Sequence, residues 1–130
     1  MKLLKTLTRR LTLGGGLLLA SLAQALTIAP YSADALAKAQ AAGQPVALHF
    51  HASWCPTCRA QDKALQTLQA EPGLDLQILT VDYDKEPALK RQLKVQTQST
   101  FIVYKGASEK ARDAGHTGAD ELRALLKKAL

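Results

Sequence analysis

The sequence predicts an α/β domain with a mixed central sheet flanked by helices, closed by a C-terminal β-hairpin and a helix. Three observations lead to this prediction. Helical patterns alternate with short extended runs through most of the chain, the order that parallel crossover connections require. Two extended runs then follow each other directly around Gly106, which predicts an antiparallel hairpin. The last segment has the apolar stripe of an amphipathic helix.

The first half of this domain contains two predicted helices around one strand. Ser32 is a good N-cap for an alanine-rich helix, which Gly43 ends. The short run Pro45–His51 predicts a strand that is buried on at least one face. Apolar residues then recur at helical spacing from Pro56 to Ala70, and a proline fits the first turn because its missing N–H costs nothing there.

The second half alternates in the same way and then ends in the hairpin. Leu74–Val81 predicts a second strand and Glu86–Leu93 a short helix. Thr100–Tyr104 is dense in β-forming residues and predicts a third strand. The polar run Glu109–Ala114 predicts its hairpin partner, and Asp120–Ala129 the final helix. The predicted order is therefore α-β-α-β-α-β-β-α.

The first 25 residues have the composition of a secretory signal rather than of a folded core. Residues 1–10 carry four basic side chains and no acid, residues 11–22 are apolar with three glycines, and Ala23–Ala25 offers small residues at a cleavage site. An uncleaved anchor is the alternative, but the apolar part is short of the roughly 20 residues that span a bilayer. We expect a periplasmic or otherwise extracytoplasmic mature domain, residues 26–130, that is not embedded in the membrane.

The charge distribution gives no support to a nucleic-acid partner. The chain has 17 basic and 11 acidic residues, a formal net charge of +6. Four of the basic residues and none of the acidic ones lie in the first 25, so residues 26–130 carry 13 basic and 11 acidic residues and a net charge of +2. The excess of basic residues therefore belongs mostly to the predicted signal, and no nucleic-acid binding is predicted.

The two cysteines of the chain lie in Trp54-Cys55-Pro56-Thr57-Cys58, between the first predicted strand and the following helix. The N–H groups and the positive dipole end of a helix N-terminus stabilise a thiolate. We expect Cys55 to be exposed there and to attack a partner's disulfide, and Cys58 to resolve the mixed disulfide. A purely structural disulfide is disfavoured because so short a loop restricts the unfolded chain very little.

This arrangement resembles the thioredoxin superfamily, in which an aromatic residue and Cys-x-x-Cys follow a central strand. The strand and helix order, the segment "LTVDYDKEPALKRQLKV" and the terminal hairpin and helix extend the resemblance over residues 26–130. The Trp-Cys-Pro-Thr-Cys stretch is similar to that of secreted bacterial thioredoxin-like reductases. The resemblance implies a thioredoxin fold and a protein thiol-disulfide oxidoreductase without a further cofactor, more a reductase than an oxidase.

The resemblance also implies partners and residues that contact them. The partners are cysteine-containing proteins and a membrane redox partner, and we expect the protein itself to be a monomer. The implied substrate contacts are Trp54, Pro56, Thr57 and Ser99. The last of these is a departure, because Ser99 stands where the family places a cis-proline. Ser99→Pro is accordingly expected to fold and to change the rates of exchange with partners.

A second departure places a histidine where thioredoxins bury an acid beneath the resolving cysteine. Strand alternation sends His49 and His51 to one face of the predicted strand. By the family's geometry this face points toward the cysteines, so His49 is predicted to accept the proton of Cys58. The alternative is a core histidine bonded to the backbone. His51 either shapes the field around Cys55 or only packs.

Two other functions remain open from the sequence. His49, His51, Cys55 and Cys58 supply imidazole and thiolate ligands of the kinds that copper and zinc take, so a metal carrier is the alternative. The side chains of a helix N-terminus and of a buried strand point in different directions, however, so the leading prediction assigns no metal ligand. A binding module of the same fold without turnover is the third possibility.

Overall fold

A five-stranded mixed sheet organises the domain in the computed structural model, which describes residues 15–16 and 25–130. The strands are β1 (Thr27–Pro30), β2 (Pro45–His51), β3 (Gln77–Asp82), β4 (Thr100–Lys105) and β5 (Ser108–Ala114). Their order across the sheet is β1-β3-β2-β4-β5. The pairs β1–β3 and β3–β2 are parallel, whereas β2–β4 and β4–β5 are antiparallel. The predicted mixed sheet with a C-terminal hairpin is confirmed.

Helices cover both faces of this sheet. They are α1 (Ala33–Ala41), α2 (Pro56–Gln69), α3 (Pro87–Leu93) and α4 (Ala119–Leu126), the last continued by a 3₁₀ turn over Lys127–Ala129. The Ser32 side chain accepts a hydrogen bond from the Ala35 N–H at 3.0 Å, which caps α1 as predicted. Gly43, with φ of +66°, follows the end of that helix in the left-handed conformation that glycine adopts readily.

The core has two layers, one on each face of the sheet. The layer under α2 and α4 includes Leu65, Leu68, Ile78, Phe101, Leu122 and Leu126. The layer on the α1 and α3 side includes Val46, Leu48, Phe50, Leu79, Leu89 and Ile102. Leu48 and Phe50 therefore face away from α2, and the alternation of the strand sends His49 and His51 toward it. The central strand β2 thus has one wholly apolar face and one face that carries histidines.

Two differences from the prediction concern the edge strand and its neighbour. Thr27–Pro30 forms the edge strand β1, which the sequence did not reveal because the run is only four residues long and ends in proline. The neighbouring strand begins at Gln77, not at Leu74, although Leu74 and Leu76 are both buried. These two leucines pack in the core although the chain does not yet pair with a neighbouring strand. A prediction from hydrophobicity alone therefore placed the start of the strand too early.

The predicted signal lies outside the described residues except for residues 15–16 and 25. Of the part that the structure describes, no helix combines the length and the apolar composition needed to cross a membrane. Leu26 is buried, and the Thr27 N–H donates to the Leu76 carbonyl at 3.0 Å. The chain therefore packs as part of the domain from residue 26 onward.

Candidate active site

The two cysteines form a disulfide at the N-terminus of α2. Cys55 is the N-cap residue, and its Sγ accepts a hydrogen bond from the Cys58 N–H at 3.0 Å. The Cα atoms of the pair are 5.3 Å apart, a normal separation for a disulfide. Pro56 begins the helix, where the absence of its N–H leaves no hydrogen bond unmade. The Cys55 sulfur thus sits where helix N–H groups can stabilise negative charge on it once it is reduced.

The prediction that Cys55 is exposed is wrong for this oxidised form. Neither Cys55 nor Cys58 exposes any of its surface, and both pack with Ala52 and against Tyr83. The Tyr83 hydroxyl donates to the Gln96 carbonyl at 3.2 Å, which holds this ring in place. Cys55 is thus enclosed by its bond to Cys58 and by the residues that pack around the pair. Among these residues is Tyr83, which is distant in sequence. A partner thiolate therefore needs a local movement to reach the sulfur.

Three of the four residues predicted to contact substrate are neighbours of the cysteines in the chain, and they differ in exposure. Trp54 is 55% exposed, and its Nε1–H donates to an Asp84 carboxylate oxygen at 2.8 Å. Pro56 is exposed and Thr57 is half-buried. A large apolar ring that is both exposed and anchored at its polar edge suits a protein-binding surface. The structure places all three beside the disulfide, and their part in binding remains a prediction.

Ser99 adopts an unusual backbone conformation and not the cis geometry that the family's proline has at this position. The Gln98–Ser99 peptide bond is trans, and Ser99 has φ of +61°. Its N–H donates to the Phe50 carbonyl at 2.8 Å, and its carbonyl accepts from the Gly115 N–H at 3.2 Å and from Gln61 Nε2 at 3.0 Å. These bonds hold a left-handed residue that costs a non-glycine side chain about 1–2 kcal/mol. The expectation that Ser99→Pro folds normally must therefore be revised.

His49 is fully buried beneath α2, and its partner is a side chain and not the backbone. Its Nε2 lies 2.8 Å from Gln61 Oε1. Its ring stacks on Phe101, with the ring centres 4.1 Å apart and the planes within 5°. Burial lowers the pKa of His49 from its ordinary 6.5 to about 4, and the hydrogen bond with Gln61 offsets part of this effect. The imidazole is therefore neutral at physiological pH.

The lowered pKa of His49 predicts a loss of stability in mild acid. Because the unfolded chain binds a proton on this side chain at higher pH than the folded chain does, the stability is fully present above about pH 6.5 and is lost as the pH falls through about 4. A difference of this size corresponds to about 3 kcal/mol. Urea unfolding of the wild type and of His49→Phe at several pH values measures the contribution. A wild-type stability that declines no more steeply than the variant's between pH 6.5 and 4 would refute it.

His51 has a partner of its own on the same helix. Its Nε2 lies 2.8 Å from an Asp62 carboxylate oxygen, at a partly exposed position. The rings of His51 and His49 meet edge to face with their centres 5.5 Å apart. Within residues 15–16 and 25–130, no three histidine, cysteine or acidic side chains are grouped as ligands of a metal ion. The metal-carrier hypothesis gains no support from this part of the chain.

Three polar side chains that hydrogen-bond within the site were not predicted from the sequence. Gln61 and Asp62 bind the two histidines, and Asp84 binds Trp54. Spacing could have indicated the first two, because residues three and four positions after Cys58 lie on the same face of a helix. Asp84 could not be found in this way, since only the fold brings the end of β3 to Trp54.

Comparisons with known proteins agree with this fold. The thioredoxin family model matches residues 28–128. Thioredoxin 2 of Plasmodium falciparum is 34% identical over 85 residues, which are 65% of this chain and 54% of that protein, so the chain spans about half the length of this relative. The thioredoxin of Mycolicibacterium smegmatis is 32% identical over 82% of this chain and 93% of its own length.

A solved structure extends the similarity to three dimensions. The crystal structure of Trxlp from Edwardsiella tarda superposes with a TM-score of 0.72 at 37% identity, over 77% of this chain and 98% of that chain. The family match, the shared fold and the Cys55–Cys58 disulfide support the predicted protein thiol-disulfide oxidoreductase activity. The chain belongs to the thioredoxin family.

Proposed function

We propose that this chain is a protein thiol-disulfide oxidoreductase that exchanges the Cys55–Cys58 disulfide with cysteine-containing proteins. The observation that carries the proposal is the position of the disulfide at the start of α2, where Cys55 Sγ already accepts a helix N–H. After reduction, the same N–H groups stabilise a Cys55 thiolate, and the thiolate is the form that attacks a disulfide.

Reduction of a partner proceeds in two displacements. The Cys55 thiolate attacks one sulfur of the partner's disulfide, so that a Cys55–partner bond forms and the partner's second sulfur leaves as a thiolate. Cys58 then loses its proton and attacks the Cys55 sulfur, which forms the disulfide seen here and releases the partner with both electrons. The reverse sequence oxidises a partner dithiol, and no further cofactor takes part.

His49 is the proposed acceptor of the Cys58 proton during the second displacement. Gln61, which holds the His49 ring, lies one helical turn after Cys58 on the buried face of α2. A neutral imidazole can accept a proton, but a pKa lowered to about 4 makes His49 a weak base toward a thiol, so it holds the proton only in passing. The partner's leaving thiolate, whose pKa is far higher, is the final acceptor of that proton.

The proposed setting is extracytoplasmic, with the domain acting as a monomer and more as a reductase than as an oxidase. A reductase in an oxidising compartment must be reduced again, and a membrane redox protein is the proposed electron donor. The signal-like composition of residues 1–25 and the packing of the chain from Leu26 onward support this setting.

Purified residues 26–130 test the activity in an exchange assay with a disulfide-bonded protein and a thiol reductant. We expect the domain to accelerate reduction of that disulfide equally with and without a chelator. A rate equal to that of the reductant alone would overturn the proposed activity, and a rate that a chelator changes would point back to the metal hypothesis.

Export is tested on the protein as the cell makes it. When the full chain is expressed in a bacterium with a periplasm, N-terminal sequencing of the periplasmic form is expected to begin at Leu26. A full-length chain recovered in the membrane fraction would replace the cleaved signal with an anchor. A full-length chain in the cytoplasm would contradict the extracytoplasmic setting.

A further inference from the structure

Gln61 joins three parts of the site through one buried amide. Its Nε2 group donates to the Ser99 carbonyl at 3.0 Å and to the His116 carbonyl at 3.0 Å. Its Oε1 lies 2.8 Å from His49 Nε2. None of the Gln61 surface is exposed. The side chain therefore bridges the segments that flank β4 and β5 while it holds the histidine of β2.

These contacts fix the orientation of the amide and the tautomer of the histidine. Backbone carbonyl oxygens only accept hydrogen bonds, so the group that faces Ser99 and His116 must be the NH₂ of Gln61. The remaining oxygen can only accept, so His49 Nε2 must carry a hydrogen and donate it. A neutral imidazole has one N–H, and burial keeps this imidazole neutral. His49 Nδ1 is therefore left with a bare lone pair.

In the oxidised protein this lone pair finds no hydrogen-bond donor among the described residues. Nδ1 itself is buried. A buried acceptor without a donor is unfavourable. The disulfide has no hydrogen to offer, but its reduction creates an S–H donor on Cys58, one helical turn before Gln61.

We propose that Gln61 is a positioning residue that holds His49 as the Nε2–H tautomer and so reserves Nδ1 as the acceptor for the Cys58 thiol in the reduced protein. The proposal rests on the proposed function and deepens it. Gln61 touches neither sulfur nor partner in this role and acts through His49. The stacking of His49 on Phe101 fixes the plane of the ring, and Gln61 decides which nitrogen is free.

The arrangement also biases the redox equilibrium. A partner dithiol supplies two electrons and two protons, the Cys55–Cys58 bond breaks, the partner's disulfide forms, and Cys58 becomes an S–H donor to Nδ1. Because this hydrogen bond exists only in the reduced protein, it favours reduction. Removing the acceptor with His49→Phe should lower the equilibrium constant for reduction by glutathione about tenfold, which is about 30 mV for a two-electron couple.

Long-range ¹H–¹⁵N spectra of the full mature protein test the tautomer directly. Signals of His49 are assigned by their absence in His49→Phe. We expect a protonated Nε2 and a bare Nδ1 in the oxidised wild type, and a shift of the Nδ1 signal on reduction as it accepts the thiol. Gln61→Met, which removes both the acceptor oxygen and the NH₂ group, should give a mixture of tautomers.

Gln66→Met is the matched control, because it changes an exposed glutamine of the same helix. It should leave the His49 spectrum and the glutathione equilibrium as in the wild type. A wild-type protein with Nδ1–H, a Gln61→Met variant that keeps a single Nε2–H tautomer, or a Nδ1 signal that reduction does not move would each overturn the proposal. The spectra do not depend on catalytic activity. If the spectra show Nε2–H but the exchange assay shows no activity, only the proposed function is contradicted.

Discussion

Cys55→Ser is expected to abolish disulfide exchange, reducing the rate of the assay to that of the reductant alone. The reason is that serine keeps the N-cap hydrogen bond of α2 but has no sulfur to attack a disulfide. The fold should survive, since oxygen is a better cap than sulfur and the domain has two apolar core layers besides the disulfide. Circular dichroism and urea unfolding of the variant provide the control for folding.

Cys58→Ser separates the two displacements. Cys55 can still attack, but the mixed disulfide has no resolving thiol, so the partner should stay bound to Cys55. Mass spectrometry after incubation with a disulfide-bonded protein identifies the adduct, and a reductant should release it. If Cys58→Ser forms no adduct while Cys55→Ser traps the partner on Cys58, the roles of the two cysteines are reversed.

Ser99→Pro is expected to destabilise the protein by at least about 2–3 kcal/mol. Proline fixes φ near −65°, whereas Ser99 has φ of +61°. Proline also removes the N–H that donates to the Phe50 carbonyl at 2.8 Å and leaves that carbonyl without this partner. The loop before β4 must therefore change its path. Denaturant unfolding of the wild type and the variant measures the loss.

Ser99→Gly is the matched control for this position. Glycine adopts the left-handed conformation without the side-chain penalty, and its own entropy cost on folding is of similar size, so stability should change by less than about 1 kcal/mol. A Ser99→Pro variant as stable as Ser99→Gly would mean that the loop adopts the cis-proline geometry readily, and the conformation described here would not be required.

The fold could be predicted from local patterns because most helices and strands have recognisable residues at their ends. Ser32 and Gly43 bracket α1, Pro56 opens α2, and the alternation of β2 correctly placed both histidines on the α2 face. The edge strand β1 could not be predicted in this way. Four residues that include a proline carry too little pattern, and only pairing with β3 makes them a strand.

The site could be predicted only as far as contacts are local. The cysteine pair and its place at the start of α2 follow from neighbouring residues, and both were correct. The packing around the disulfide includes Tyr83, which follows β3 and which only the fold brings there. The alternative for His49, a bond to the backbone, was wrong: its partner is Gln61, whose NH₂ group is in turn bound by the carbonyls of Ser99 and His116.

The central claim is that Cys55, and not Cys58, is the attacking sulfur, and limited alkylation of the reduced protein tests it most directly. A substoichiometric amount of iodoacetamide is added at neutral pH, and peptide mass spectrometry identifies the modified cysteine. The account predicts modification of Cys55 well before Cys58, because helix N–H groups stabilise the Cys55 thiolate. Preferential modification of Cys58 would contradict it.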